Sequence, residues 1–445
     1  MAVAGCAVTG AGKGSQGGTG QSGKAQVIIG THIEMTAPEK EKCQRDLEKQ
    51  GVAYSVEALA GEIEQDHDQV VRMFLACGMS PDTTVGPRRR NDSLLHIAAE
   101  SGAVRTIRVL LAAHANPNAQ QMAKVTPLMY AAKMERNEDH VDSVEALIAG
   151  GADVNATLDD GGTALDYAAG SGNGKAVRVL LAAHARVNYR SGAERKTPLI
   201  YACRNSNPDA PKIVELLASA GVDVNAADTD GQTALIWAIR QGGDASVTAL
   251  LGAHADVNLQ TTFEGHRQTP LMKAIGMGRL STVKLLLAAG ADVNAIPEEG
   301  RTALAWAAEE GGKLEIVEAL LQAGADLKAP QGGGFLIGAA KNGWSALVRK
   351  ALEAGVDANS VVQGKGPPLV AMLVAWTGWL DWLASADVQD RMQADPVYAK
   401  ERKDELAQAA KASSEIACLL LRAGAKANLK NADGASANSL LKKLG

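Results

Sequence analysis

A short sequence pattern recurs through most of this 445-residue chain at a nearly constant interval. Each copy opens with a serine or threonine, and successive opening residues are 33 to 37 positions apart. These opening residues are Ser93, Thr126, Thr163, Thr197, Thr233, Thr269 and Thr302. A period in this range predicts a stacked array of similar units. Such an array can reach this length, whereas a single compact core cannot.

The signals within one unit, from residue 269 to residue 294, predict two helices joined by a turn. Thr269 is a good N-cap, because its hydroxyl can accept a hydrogen bond from a free backbone N–H of the first turn. Pro270 fits the first helical position, where no N–H is needed. An apolar stripe at helical spacing follows and includes Leu286. Gly290 can adopt the left-handed conformation that ends a helix.

These units resemble ankyrin repeats, because several features recur in phase. Thr-Pro-Leu occurs at 126–128, 197–199 and 269–271, and Thr-Ala-Leu replaces it at 163–165, 233–235 and 302–304. Ala-Asp-Val-Asn closes units at Asn155, Asn258 and Asn294. The resemblance implies an all-α ankyrin-repeat solenoid of about nine to ten helix-turn-helix repeats with capping ends. It also implies that His96, at the usual histidine position, hydrogen-bonds between neighbouring loops.

The array divides the chain into four predicted regions. Residues 1–50 are a flexible Gly/Ser-rich and then charged, solvated tail, and residues 51–91 are a degenerate capping repeat. Residues 92–360 form the main array. Residues 361–445 hold further repeats, a long insertion at about 375–412 and a cap. The insertion contains Trp376, Trp379 and Trp382 on one helix face, which we expect to pack over the end of the array or to contact a partner or membrane surface.

Neither composition nor motifs indicate an enzyme or a nucleic-acid-binding protein. The formal net charge of −5 gives no electrostatic case for nucleic acid. Gly18, Gly23 and Lys24 have the spacing of a phosphate-binding loop, but Ala25 stands where a metal-binding hydroxyl is needed. We find no catalytic constellation and predict a non-catalytic chain without a cofactor.

Three histidines recur at intervals of 70 residues, which raises the question of a metal site. They are His114, His184 and His254. Each replaces the glycine that ends the second helix of other units, and histidine is enriched in left-handed conformations. Stacked repeats also hold these positions much farther apart than a metal–nitrogen bond of about 2 Å. We therefore predict left-handed turns and no metal.

One position of the first helix carries an excess of aromatic residues. From the second to the ninth unit it holds Ile97, Tyr130, Tyr167, Tyr201, Trp237, Lys273, Trp306 and Gly338. Aromatic residues make up 3% of the chain, so five in eight units is not a chance distribution. In ankyrin repeats this position faces the concave surface. We predict that the aromatic row (Tyr130, Tyr167, Tyr201, Trp237 and Trp306), with Lys273, binds a protein partner; the alternative is packing between neighbouring first helices.

The cysteines leave the compartment open. Cys77, Cys203 and Cys418 fall at apolar repeat positions and are interpreted as buried thiols, with no disulfide spacing. Val3-Ala4-Gly5-Cys6 resembles a bacterial lipobox, which makes Cys6 a candidate lipidation site, although no apolar segment precedes it. The alternatives are a cytoplasmic protein, if the N-terminus is complete, or a periplasmic or membrane-anchored one. The alanine-rich composition suggests a bacterial source.

These observations predict a protein–protein interaction scaffold that binds an unidentified protein through its concave groove and loop tips. We expect it to be monomeric by itself and to contact a membrane only if Cys6 is lipidated. The alternative function is a lipid-anchored or secreted bacterial envelope protein that displays the array on a flexible tether.

Overall fold

The computed structural model describes residues 36–443 apart from short gaps at 87–90, 134–137, 206, 264–265, 297–300, 310–312, 330–331 and 363–365. Over these residues the chain forms stacked pairs of helices, each pair an inner and an outer helix. The inner helices are α2 (Val56–Glu64), α4 (Leu94–Ser101), α6 (Pro127–Lys133), α8 (Ala164–Ser171), α10 (Pro198–Arg204), α12 (Ala234–Gln241), α14 (Pro270–Gly276), α16 (Ala303–Glu309), α18 (Gly332–Lys341) and α20 (Pro368–Leu383).

The outer helices follow their inner partners across a short turn. They are α3 (Asp68–Ala76), α5 (Val104–Ala112), α7 (Glu138–Ala149), α9 (Gly174–Ala182), α11 (Ala210–Ser219), α13 (Asp244–Gly252), α15 (Leu280–Ala288), α17 (Leu314–Gln322), α19 (Ser345–Glu353) and α22 (Pro396–Arg422). Helix α1 (Ala37–Glu48) precedes the first pair, α21 (Ala386–Ala394) lies within the tenth, and α23 (Ala437–Lys443) follows it. The predicted all-α solenoid is therefore confirmed.

The predicted helix ends are formed by the predicted residues. The Thr269 hydroxyl accepts a hydrogen bond from the backbone N–H of Met272 at 3.3 Å, and Thr197, Thr233 and Thr302 cap their helices in the same way. Gly290 has a φ of 86°. The three histidines that replace such glycines have φ values of 65°, 62° and 62°, as the sequence analysis expected. Among the described residues no cluster of His, Cys, Asp and Glu could hold a metal ion.

Successive units are also joined by a ladder of hydrogen bonds from asparagine side chains, which the repeat motif alone did not predict. The Asn118 side chain accepts a hydrogen bond from the Asp153 N–H at 2.7 Å and donates one to the Gly151 carbonyl at 3.1 Å. Equivalent bonds start from Asn188, Asn258 and Asn294. The closing asparagine of each motif therefore fixes the register of the next unit.

The tenth unit keeps this register despite the long insertion. The Asn359 side chain bonds the Gly424 carbonyl and the Lys426 N–H, 65 and 67 residues further along the chain. The inserted residues lengthen the inner helix α20 to 16 residues and the outer helix α22 to 27 residues, with α21 between them. The insertion therefore extends a repeat without displacing its neighbours.

Helix α1 at the N-terminal end is exposed over most of its length, but it is also attached to the array, which we did not expect. Leu47 is fully buried, and a disulfide joins Cys43 to Cys77 at the end of α3, with their Cα atoms 5.5 Å apart. The interpretation of Cys77 as a buried free thiol is therefore wrong. The sequence separation of 34 residues resembles no local disulfide motif, and only the packing of α1 on α3 brings the two cysteines together. Cys203 is a buried free thiol, whereas Cys418 is free and exposed, so its predicted burial is also wrong.

Two further features lie outside the regular pairs. Strands β1 (Thr261–Phe263) and β2 (His266–Gln268) form an antiparallel hairpin in the longer loop before α14. Among the described helices none alone has the length and apolar composition to cross a membrane. Only the pair α20 and α21, bent by 57°, meets that criterion when its two helices are taken together.

Gly338 is required by the close approach of two inner helices. A Cβ atom at this position of α18 would lie 2.7 Å from the carbonyl carbon and oxygen of Ala308 in α16. Glycine therefore replaces the aromatic residue of other units because no side chain fits. The short distance between α16 and α18, rather than a change in function, explains why this position holds a glycine.

We expect Gly338→Ala to lower the free energy of unfolding by about 1–3 kcal/mol, because the methyl group overpacks a backbone contact. Gly378→Ala is the matched control, since a Cβ there would meet nothing within 4 Å. Alanine should stabilise this helical position by up to about 1 kcal/mol. Urea unfolding followed by circular dichroism measures both variants, and shifts of the same sign would contradict the steric explanation.

Candidate interaction surface

The inner helices bring all six predicted partner-binding residues to one face of the array. Tyr130, Tyr167, Tyr201, Trp237, Lys273 and Trp306 occupy equivalent positions on the successive helices α6 to α16. In α6 the residues on either side of Tyr130, including Leu128 and Ala131, are buried. Tyr130 itself is only partly buried, so it lies on the side of the helix turned away from the core. We call this side of the inner-helix layer the inner face.

The aromatic rings combine partial exposure with packing between units. All five rings of the row are partly buried, which is less exposure than a free anchor would have and more than a core residue has. Tyr201 lies against Gly170 of the preceding inner helix, where a Cβ would be 3.7 Å from the Tyr201 Cβ. Trp306 lies against Gly276 in the same way, because a Cβ at Gly276 would be 3.5 Å from the indole nitrogen of Trp306. Each ring therefore supports the stack with one part and meets solvent with another.

Polar contacts fix the orientation of the first and fourth rings. The Tyr130 hydroxyl accepts a hydrogen bond from the Gln121 side chain at 2.6 Å, and its ring meets the His96 ring edge-on at a centroid distance of 5.7 Å. The Trp237 indole N–H donates to the Asp228 carboxylate at 2.9 Å. Rings held in this way lose little conformational entropy if a partner binds.

His96 has the bridging role that the resemblance implied. Its Nδ1 lies 2.8 Å from the Ser93 hydroxyl, and its Nε2 lies 3.0 Å from the Val125 carbonyl oxygen in the next loop. Burial lowers the pKa of the imidazole, and the bond to Val125 offsets this in part. His96 is therefore a neutral link between neighbouring units.

Cationic side chains lie over two of the rings, and sequence reasoning missed them. The Trp237 ring has the Lys196 ammonium at 5.1 Å and the Arg240 guanidinium at 4.7 Å from its centroid. The Arg301 guanidinium lies 5.8 Å from the centroid of Trp306. Arg240 follows Trp237 by three residues, so helical spacing could have indicated that pair. Lys196 and Arg301 belong to the preceding loops, and only the fold places them here.

A buried carboxyl lies between the fourth and fifth units. Asp166 is 7% exposed, and it accepts a hydrogen bond from the Thr163 N–H at 3.1 Å. Burial raises the pKa of the Asp166 carboxyl to about 6, while the Thr163 N–H and the hydroxyls of Tyr189 and Ser191 offset this in part. Burial also raises the pKa of the Tyr189 phenol. Asp166 occupies the position that His96 has in its own unit, so it is part of the scaffold.

Two of the three tryptophans of the insertion, Trp376 and Trp379, line a separate cavity. Trp376 and Trp379 stack with centroids 5.8 Å apart, and Trp382 follows at 6.4 Å. The cavity has a volume of about 440 Å³ and lies between the end of α18, the helix α20 and the helix α22. The insertion thus packs beside the turn of the ninth unit, and Trp382 remains 43% exposed.

The sequence that forms the stacked helix pairs matches the model of a known protein family. A model described as ankyrin repeats (3 copies) matches residues 58–158, 95–191, 183–261 and 243–331, which together cover more than half of the chain. The chain belongs to the ankyrin-repeat family. The recognition made from the Thr-Pro-Leu and Ala-Asp-Val-Asn motifs is therefore confirmed.

Two much longer proteins are among the relatives. Inversin from Canis lupus familiaris is 31% identical over 169 residues, which are 38% of this chain and 15% of inversin. The ankyrin repeat and KH domain-containing protein mask-1 from Caenorhabditis elegans is 30% identical over 200 residues, 43% of this chain and 8% of mask-1. The similarity thus spans a small part of each relative. Both come from animals and give no support to a bacterial source.

The solved human ASB11 ankyrin repeat domain is also similar to this ankyrin-repeat chain. It has a TM-score of 0.43 and 25% identity, and the match covers 53% of this chain and 99% of that one. A superposition with this TM-score does not define where the inner face of this chain lies.

Proposed function

We propose that this ankyrin-repeat chain is a non-catalytic scaffold whose inner face binds a protein partner through the aromatic row. Ankyrin repeats in general are protein–protein interaction modules, and stacked repeats offer an extended concave surface for this purpose. The partner, and the use of the inner face for it, are the parts that we infer.

The observation that carries the proposal is the partial exposure of rings at one equivalent position in five units. A tyrosine or tryptophan that is already half-packed offers a large area at small entropic cost, which is typical of interface anchors. Packing of the stack alone would be served by smaller aliphatic residues such as Ile97, which is 1% exposed at the same position.

We expect replacement of four of the five rings of the row to abolish partner binding while the array stays folded. The variant carries Tyr130→Ala, Tyr201→Ala, Trp237→Ala and Trp306→Ala, and affinity capture from native lysate with mass-spectrometric identification is the measurement. Removal of even one anchor should weaken binding by about 2 kcal/mol or more, roughly 30-fold.

The four single variants are measured beside it, because removal of several half-buried rings can itself destabilise the array. The control variant carries Arg178→Ala and Lys284→Ala, two exposed positions on the outer helices α9 and α15. If the same proteins are retained at the same level by every folded single variant, the row supports the stack and does not bind the partner.

A second candidate function is the envelope or extracellular anchoring role, and the disulfide between Cys43 and Cys77 favours it. Structural disulfides persist in oxidising compartments and are rare in reducing ones. Cys6, the candidate lipidation site, lies outside the described residues. The intact mass of protein isolated from native membranes decides this alternative: a mature chain that begins at acylated Cys6 supports it, and an unmodified full-length chain in the soluble fraction contradicts it.

A further inference from the structure

The inner face of units five to nine carries six cationic side chains, although the whole chain has a formal net charge of −5. Three equivalent positions supply the charge: the residue before the opening threonine, the aromatic position itself, and the residue three places after it. The basic strip formed in this way consists of Lys196, Arg204, Arg240, Lys273, Arg301 and Lys341. Among the described residues at these positions in the same units, Glu309 is the one acid.

Three members of the strip, Lys196, Arg204 and Arg240, lie close enough for their charges to interact. Burial lowers the pKa of the Lys196 ammonium, and the neighbouring charge of Arg204 lowers it further. Asp228 and Asp230 oppose this effect, while Arg240 adds to it. Lys196 is 2% exposed and forms an ion pair with Glu194. Among the described cations near Trp237, Arg204 is therefore the one open to an incoming anion.

Arg204 is available to such an anion. It is exposed at the end of α10, and no acceptor or carboxylate contacts it within the described part of the chain. Arg240 and Arg301, in contrast, are held over indole rings at 4.7 and 5.8 Å from the centroids. Arg240 also donates to the Gln232 side chain at 3.0 Å, and Arg301 lies 3.8 Å from the Glu309 carboxylate. A guanidinium has five N–H donors, so a stacked arginine can still receive a carboxylate at its edge.

Apolar surface alternates with these cations. Met277 is 44% exposed on the turn after Lys273, between the units of Trp237 and Trp306. A fitting occupant therefore carries both carboxylates and apolar side chains. Electrostatic complementarity of this kind raises the association rate and excludes basic partners.

We propose that the inner face of units five to nine binds an acidic protein segment in which carboxylates alternate with apolar residues. The inference rests on the proposed function and adds the chemistry of the partner. The same units place Asp230 and Glu194 on their loops, both exposed. These acids would repel the continuous phosphate charge of a nucleic acid, whereas a peptide can place its carboxylates between them.

The test selects binders of the full-length chain from a phage-displayed library of random peptides about 12 residues long, enough to span several repeats when extended. The recovered peptides should be enriched in Asp and Glu relative to the unselected library. Synthetic copies should bind the variant Arg204→Glu/Lys273→Glu at least about tenfold more weakly, the scale of one close charge pair. Binding should also weaken as NaCl rises from about 50 to about 500 mM.

The matched control is Arg178→Glu/Lys284→Glu, which makes the same charge change at exposed positions on α9 and α15. It should leave peptide affinity within about twofold, because both charges lie on outer helices rather than on the inner face, and salt screens exposed charges that are far apart. Circular dichroism and thermal unfolding confirm that both variants are folded.

Failure of this inference is distinguishable from failure of the proposed function. In one outcome the selected peptides bind the wild type and not the four-alanine variant of the aromatic row, yet show no acidic enrichment and no response to charge reversal. That result would support binding through the aromatic row and contradict an acidic partner. Peptides indifferent to the row overturn both. A labelled single-stranded RNA that displaces the selected peptides from the wild type would assign the strip to nucleic acid instead.

Discussion

Removal of the disulfide between Cys43 and Cys77 should cost the N-terminal end of the array about 2–4 kcal/mol, the value expected for closing a loop of this size. The bond spans 34 residues and joins α1 to the end of α3. Helix α1 packs only on this end of the stack, and Leu47 is its fully buried anchor. Without the covalent link, a 12-residue helix with one such anchor is marginal in water.

Hydrogen exchange of the α1 amides in Cys43→Ala is the measurement. Their exchange should accelerate by about 30- to 1,000-fold, which is the same free energy expressed as an equilibrium constant. Amides of α11, in the middle of the array, should not change, because repeat stability is carried by neighbouring units.

Cys418→Ala serves as the control, since Cys418 is exposed and free. Adding a reductant to the wild type should accelerate exchange of the α1 amides as much as Cys43→Ala does. Adding it to the Cys43→Ala variant should not accelerate exchange further. Ready labelling of Cys43 and Cys77 by a thiol reagent in the unreduced native protein would contradict the bond, and equal exchange with and without it would show that α1 is held by packing alone.

Asp166→Asn should stabilise the protein at neutral pH by up to about 3 kcal/mol, because it removes the cost of ionising a buried carboxyl. The folded pKa of Asp166 is raised from 3.8 to about 6. The carboxyl therefore favours the folded state fully below about pH 4, and this contribution is lost as the pH rises through about 6. The amide can still accept the Thr163 N–H, so the capping contact is kept.

The test compares urea unfolding of wild type and Asp166→Asn at about pH 4 and about pH 7.5, where a burial effect predicts divergence only at the higher value. The nearby groups are the Asp160 carboxyl, the Thr163 N–H, the Tyr189 phenol and the Ser191 hydroxyl. Of these, Asp160 raises the pKa of Asp166, and its ionisation acts in the same direction.

The exposed Asp142→Asn on α7 is the matched control and should change stability by no more than about 0.5 kcal/mol at both pH values. A difference between wild type and Asp166→Asn that is the same at both pH values would show that packing, and not ionisation, separates them.

The candidate site was predictable only in part. Helical geometry placed Tyr130 opposite Leu128 and Ala131, and the repeat carried this placement to every unit, so the common face of the aromatic row followed from the sequence. The degree of burial did not follow, because it depends on the distance between neighbouring inner helices. Gly338 illustrates this: its sequence position matches that of Trp306, but the approach of α18 to Ala308 leaves no room for a side chain.

The repeat, its helix boundaries and its family could all be predicted from the amino-acid sequence, because each of these signals acts within a few residues along the chain. A threonine caps the turn that follows it, and a glycine or histidine ends the helix before it. The tertiary structure decided the contacts made between units: the disulfide of Cys43, the burial of Asp166, the asparagine ladder and the cations over Trp237. Each of these contacts depends on which residues meet when units stack. The distance between neighbouring units, in turn, is set by packing across the whole interface between them.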